Sequence, residues 1–292
     1  MSDLVRQSPL RLLAGMDLTE RSRNAFSRAV ELARSKGTSL TLLHVTSDAL
    51  SHQVATAHET YATEILADLV ARARSEGVAN AEQILVRGRD YETIIGQARK
   101  DESDLVIIGT HRPSSLMQDM LGTTADRVLR FGGFPVLLVR QKAPGAYNSI
   151  VVAVDFSPAS RRAMELAIRW FPNARIVAVT AYGTSRRTHL GDESQVREQA
   201  AETRRLALKG FLDEIGQSLQ QAFDPNITHI VPVVERGWAE DVILRTVEEH
   251  KPDLIIVGTH ARGGLEQAVL GSVAEWVLTE APCDVLAVPP AE

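Results

Sequence analysis

The chain carries one pattern twice, and that repeat limits its fold more than any other feature. "DLVIIGTH" begins at Asp104 and "DLIIVGTH" at Asp253, while "LGTTADRVL" begins at Leu121 and "LGSVAEWVL" at Leu270. Both separations are 149 residues, and Arg87-Gly88 returns at Arg236-Gly237 with the same spacing. Earlier, "LLAGMDLTERSRNA" from Leu12 matches "IVVAVDFSPASRRA" from Ile150 at a separation of 138. The second copy therefore holds 11 more residues between its first and third strands.

Two domains follow, residues 1–142 and 148–292, bridged by "QKAPGAYNS" (141–149). A domain of roughly 140 residues buries about two-thirds of its chain's surface and needs no staple. The hydrophobic content of 44% and charged content of 24% are those of a globular protein. The single cysteine, Cys283, excludes an intramolecular disulfide and reads as a small buried residue at the start of a core strand. No apolar run is long enough to span a membrane, and the N-terminus lacks the pattern of a signal peptide, so a cytoplasmic location is expected.

Charge argues against nucleic acid as a partner. Residues 1–145 hold 18 Lys+Arg against 17 Asp+Glu, and residues 146–292 hold 14 against 20. Neither half offers the basic surface that binding a phosphate backbone requires. The pairs Arg161-Arg162, Arg186-Arg187 and Arg204-Arg205 read as isolated solvated charges.

Each copy alternates short β-branched runs with longer amphipathic stretches. In the first copy the strands are 10–16, 39–45, "AEQILVRG", 104–109 and 135–139. The helices between them include 58–77, with Tyr61, Ile65, Leu69 and Ala73 spaced by four. Thr19 can cap the first helix and Gly37 can close it. The second copy places strands near 149–154, 175–181, 228–234, 253–258 and 284–288, with a polar insertion at 182–195 before a long helix of about 196–221. Strand–helix alternation without hairpin signals implies parallel βαβ crossovers. The expected fold class is α/β: two tandem doubly wound domains, each with a five-stranded parallel sheet flanked by helices. Such sheets bind ligands beyond the carboxyl ends of their strands, where strand order reverses. Asp17 and Asp155 after the first strands, and Gly109 and Gly258 after the fourth, fall there.

After its fourth strand the second copy reads "GTHARGGLEQAVLGSVAEWVL" (258–278). Gly258, Gly263, Gly264 and Gly271 let backbone N–H groups approach an anion. Gly271-Ser272 then opens a helix, whose N-terminus favours phosphate. Asp155 is placed to accept hydrogen bonds from ribose hydroxyls. Together these make a nucleotide site.

On "VxVD(x)S", "DLIIVGTHARGGL" and "LGSVAEWVL", in order and at matching spacing, the chain resembles the tandem universal stress proteins, almost end to end. The resemblance implies strand order 3-2-1-4-5, ATP or AMP binding as in some members of the family, and pairing of the two domains through their fifth strands, "PVLLV" and "DVLAV", with room for a homodimer. It also implies a nucleotide site made of Ala153, Val154, Asp155, Phe156, Ser157, Ala181, Gly258, Thr259, His260, Arg262, Gly263, Gly264, Gly271, Ser272 and Val273. A weaker site in the first domain would use Asp17, Thr19, Val45, Gly109, Gly122, Thr123 and Thr124.

The family's binding motif, G-x2-G-x9-G-[ST], is not matched in full. In the second copy its middle glycine is Ala261, at a cost of about 1–2 kcal/mol if the position needs positive φ. In the first copy the position is Arg112, followed by Pro113, and Ser114 and Ser115 stand where the second copy has glycines. Pro113 removes a donor, though Arg112 could itself reach a phosphate. The first domain is thus either a structural half or a remodelled pocket.

No catalytic constellation stands out. There is no P-loop lysine, HExxH, paired CxxC or GxSxG. His111 and His260 occupy matching places beside the loops and read as loop-capping or solvent-facing groups. No metal site is expected, and Mg²⁺ would arrive only with a nucleotide. The expected function is a stress-response protein, not an enzyme, that binds an adenine nucleotide mainly through its second domain. The alternatives are a weak Mg-dependent ATPase using Asp155 and His260, and a nucleotide-free structural or chaperone-like protein. Trp170, Phe171 and Trp276 read as packing residues. Tyr91 and Trp238, taken as equivalent residues one turn into the third helices, read as core or domain contacts rather than as adenine-stacking groups.

Overall fold

A computed structural model describes residues 10–110, 122–142, 145–183, 193–220, 229–259 and 270–291. The chain divides into two compact units, Met1–Ala146 and Tyr147–Glu292. Unit 1 contains β1 (Arg11–Gly15), α1 (Glu20–Lys36), β2 (Ser39–Ser47), α2 (His52–Ser75), β3 (Ala81–Gly88), α3 (Asp90–Lys100), β4 (Leu105–Gly109), α4 (Thr123–Phe131) and β5 (Val136–Val139). Unit 2 contains β6 (Ser149–Ala153), α5 (Pro158–Trp170), β7 (Arg175–Tyr182), α6 (Glu193–Gln220), β8 (His229–Arg236), α7 (Ala239–His250), β9 (Leu254–Gly258), α8 (Ser272–Glu280) and β10 (Asp284–Val288).

Within unit 1 the strands lie in the order β3-β2-β1-β4-β5, and within unit 2 in the order β8-β7-β6-β9-β10. All pairings inside each unit are parallel. This is the expected doubly wound class. Order reverses between β1 and β4 and between β6 and β9.

The central strands show why the sequence folds this way. β4 (LVIIG) and β9 (LIIVG) each bury four consecutive apolar residues, because helices cover both faces. α5 packs on β6 and β9 and buries Ala159, Ala163 and Ala167, all at or near zero exposure. α6 buries Leu208, Phe211, Ile215 and Leu219 at spacings of three and four.

The repeated Asp104 and Asp253 are strand ties. Asp104 accepts the Arg11 N–H (2.8 Å), and its own N–H donates to the Arg11 carbonyl (2.9 Å). Asp253 accepts the Asn148 and Ser149 N–H groups (2.9 Å each) and donates to the Ser149 carbonyl. Each reciprocal pair fixes the start of a unit's first strand beside its fourth.

Several expectations are corrected. α2 begins at His52, six residues before the expected start, through a turn in which only Ala55 is buried. Thr19, directly before α1, donates both its hydroxyl (2.7 Å) and its N–H (2.9 Å) to Asp17 Oδ1. Gly37 closes α1 with φ +61°, as its lack of a Cβ permits. The arginine pairs are not simply solvated. Arg162 donates to the Pro289 and Pro290 carbonyls (3.1 and 2.9 Å), while Arg161 pairs with Glu214. Arg186-Arg187 lie outside the described residues. Trp170, Phe171 and Cys283 are buried and Trp276 is half-buried. Trp238 is not a core residue, being 59% exposed. Nor is it equivalent to Tyr91, since Trp238 is the N-cap of α7 whereas Tyr91 is the second residue of α3.

Candidate nucleotide site at the strand ends of unit 2

A cavity of about 120 Å³ opens at the carboxyl ends of β6, β7 and β9, at the reversal of strand order. β6 and the turn after it contribute Ala153, Val154 and Asp155, β7 contributes Ala181, and β9 contributes Gly258. The start of α8 contributes Gly271, Ser272 and Val273. Eight residues expected from the sequence therefore line one cavity. The rest of its wall was not singled out: Ser160, Val179, Thr180, Ala239, Val242, Ile243, Val257 and Ala274. Most of these are aliphatic residues whose spacing suits a core as well as a pocket, so only the register of the strands reveals their shared wall.

The turn after β6 is strained. Phe156, directly after Asp155, has φ +66°, and its counterpart Leu18, after Asp17, has φ +60°. A side chain in this left-handed region costs about 1–2 kcal/mol. The carboxylates answer that strain. Asp155 Oδ1 accepts the Ser157 N–H and Asp17 Oδ1 accepts the Thr19 N–H, both at 2.9 Å. One oxygen of each aspartate thus closes its own turn. Ser157 does not line the cavity. It is 2% exposed and caps α5, its Oγ accepting the Ser160 N–H (3.2 Å).

Phe156 is likewise outside the cavity lining. Its ring meets Phe211 edge to face at 5.5 Å, with the Arg204 guanidinium 4.6 Å from its centre. Arg204 Nε also donates to the carbonyl of Ala181 (3.0 Å). Arg161 lies 5.2 Å from the Phe211 ring. α6, the helix after the insertion, is therefore tied to the turn holding Asp155 and to the end of β7.

Thr259, 2% exposed, donates its N–H to Val288 (2.9 Å) and accepts the Gly271 N–H at its carbonyl (2.9 Å). The chain leaving β9 and the chain entering α8 are thus bonded to each other. Gly271 is the N-cap of α8 (φ −66°, ψ 148°), and Glu275 N–H donates to its carbonyl. His260, Ala261, Arg262, Gly263 and Gly264 lie outside the described residues.

Unit 1 repeats the frame with different walls. Gly109 ends β4, Gly122 is the N-cap of α4, Thr123 and Thr124 open that helix, and Val45 lies on β2. Pairing of Gly15 with Leu43 and of Ala153 with Val179 puts the two units in register. Met16, Leu43, Val45 and Ile108 then stand where unit 2 has Val154, Val179, Ala181 and Val257. Each is the bulkier member of its pair. His111, Arg112, Pro113, Ser114 and Ser115 lie outside the described residues.

Unit 1 also holds a buried histidine, His44 on β2, 5% exposed. Its Nδ1 is 2.6 Å from the Met16 carbonyl, which can only accept, so Nδ1 carries the proton. Its ring stacks on His58 of α2 at 5.1 Å. Burial holds the His44 pKa below its ordinary value. The Met16 carbonyl opposes that shift, His58 adds to it, and Asp90 and Asp17 oppose it.

Among the described residues no group of three His, Cys, Asp or Glu could hold a metal, and no helix is long and apolar enough to cross a membrane. A model of the universal stress protein family matches residues 10–140 and 146–289. The chain is 28% identical over 222 residues to universal stress protein E of Photorhabdus laumondii, covering 71% of this chain and 68% of that one. It is 25% identical over 203 residues to universal stress protein MT2061 of Mycobacterium tuberculosis, covering 64% and 62%. Its fold resembles the crystal structure of a universal stress protein from Archaeoglobus fulgidus, with TM-score 0.71, 18% identity and coverage of 96% and 98%. It also resembles a protein of unknown function, PA1789, from Pseudomonas aeruginosa, with TM-score 0.69, 23% identity and coverage of 97% and 94%.

Proposed function

The chain belongs to the universal stress protein family, and from that premise we propose that unit 2 binds an adenine nucleotide, ATP or AMP. The protein then acts in stress response through the conformation or partner surface of the bound state, without catalysing a reaction. One observation carries this reading. A single cavity brings together small aliphatic walls, a carboxylate and the N-terminus of a helix. Ala153, Val179, Ala181, Val242 and Ile243 suit a flat heterocycle. Asp155 keeps one oxygen for its turn and has the other for ribose hydroxyls. The first N–H groups of α8 and the Ser272 hydroxyl suit phosphate. Mg²⁺ would enter with the nucleotide's phosphates.

Met16, Leu43, Val45 and Ile108, each bulkier than its unit 2 counterpart, favour a scaffold role for that half, against a smaller residue at Gly15, which matches Ala153. The test is equilibrium binding of ATP and AMP, with and without Mg²⁺, together with identification of small molecules released from the purified protein. Gly271→Glu should abolish binding by placing a carboxylate at the start of α8, and Gly122→Glu should leave it within about twofold. The reverse pattern would assign the site to unit 1. Absence of binding to the native protein would refute the reading.

A further inference from the structure

We propose that Trp238 forms the outer wall of the unit 2 cavity and stacks on the heterocycle of the bound nucleotide. This role rests on the nucleotide reading above. Among the three tryptophans, Trp170 is 8% exposed and Trp276 half-buried, whereas Trp238 leaves 59% of its surface in water. An indole is costly to expose, and this one directly precedes a residue of the cavity wall. It is the N-cap of α7, and the next residue, Ala239, lines that cavity. Val242, four residues on and fully buried, and Ile243, four residues beyond Ala239, line it too. Trp238 therefore stands at the end of α7 nearest the strand tips, directly before Ala239 and bonded through its carbonyl to the Val242 N–H, both residues of the cavity wall.

The backbone beneath the indole is fixed. The Gly237 N–H donates to the carbonyl of Tyr182 (3.2 Å), the residue after the cavity residue Ala181, and the Val242 N–H donates to the Trp238 carbonyl (3.0 Å). Gly237 takes φ +151°, and a Cβ there would lie 3.2 Å from Val242 Cγ2 and from Arg245 Nη2. The turn is thus pinned to β7 and packed tightly on α7, while the side chain it carries stays exposed. The unit 1 counterpart is Arg89, which pairs with Glu92 at 3.2 Å. The aromatic residue occurs in the unit with the small-walled cavity.

The experiment measures ATP and AMP affinity by calorimetry for the native protein and for W238A, W238L and W238F. Far-UV circular dichroism confirms that each variant is folded, and sedimentation gives its assembly state. Aromatic stacking on a base predicts a loss of about 5- to 150-fold in W238A. W238L, which restores apolar bulk but no ring, should stay close to W238A, and W238F should recover most of the affinity. Tryptophan emission of the native protein should change on saturation with nucleotide, and W238F should lose most of that change. A W238A protein that binds as tightly as the native one, while Gly271→Glu does not bind, overturns the tryptophan's role and leaves the nucleotide reading intact. A change in assembly state at unchanged affinity overturns it as well. A native protein that binds neither nucleotide overturns both.

Discussion

A Cβ on Gly258 would lie 2.8 Å from the Cβ of Ala159 and 2.9 Å from the Ser160 nitrogen. The glycine that ends β9 is therefore required by α5 crossing against it, independently of any ligand. Gly258→Ala should lower the stability of unit 2 by about 1–3 kcal/mol, because backbone atoms must shift to admit the methyl. Gly96 and Gly216, inside α3 and α6, have no atom within 4 Å of an added Cβ. Their alanine variants should gain about 0.5–1 kcal/mol each. Urea unfolding of the three variants checks both signs.

Asp155 has a structural duty that can be separated from ligand binding. Asparagine keeps an acceptor for the Ser157 N–H, and alanine does not. Asp155→Ala should cost about 0.5–1.5 kcal/mol of stability, and Asp155→Asn clearly less. Both should weaken nucleotide binding by at least about tenfold, since the charged acceptor is lost in each. Parallel unfolding and binding curves resolve the two effects.

Leu18 and Phe156 share a strained backbone, and the Phe156 ring also packs against Phe211 and Arg204. Leu18→Gly should be neutral or stabilising by up to about 1 kcal/mol, because glycine adopts φ +60° without a steric penalty. Phe156→Gly should destabilise, since it removes the ring between Phe211 and Arg204. Thermal midpoints moving in the same direction for the two variants would contradict this account.

His44 should make unit 1 less stable in mild acid. Burial lowers its folded pKa beneath the ordinary 6.5, so the unfolded chain takes up the proton first as pH falls. Stability should decline as pH drops through 6.5 and level off below the depressed folded pKa. His44→Asn preserves a donor toward the Met16 carbonyl and removes the titration. Hydrogen exchange of β2 amides at pH 7.5 and 5.5 should show the loss of protection in the native protein and a smaller one in the variant.

The fold was legible because its strongest signals are local. Four apolar, mostly β-branched residues in a row at Leu105–Ile108 and Leu254–Val257 are what short strands covered on both faces require. The start of α2 was not legible, because His52–Ala57 buries only Ala55 and carries no apolar stripe. In the site, Asp155, Gly258 and Gly271 were readable as a motif. Val179, Val242 and Ile243 were not, because a wall residue and a core residue look alike until three strands and a helix are set in register. The positions of Arg204 and Trp238 depend on how α6 and α7 meet the sheet, and no spacing in the chain encodes that.

The left-handed residue behind each aspartate also bears on how the repeat is recognised. Leucine stands at one position and phenylalanine at the other, yet the peptide bends the same way. What the two copies share at this point is a torsion angle, while the residue that carries it differs. A search for glycine as the mark of this bend would miss both copies, whereas an aspartate two residues before the Ser or Thr that opens the next helix finds each of them.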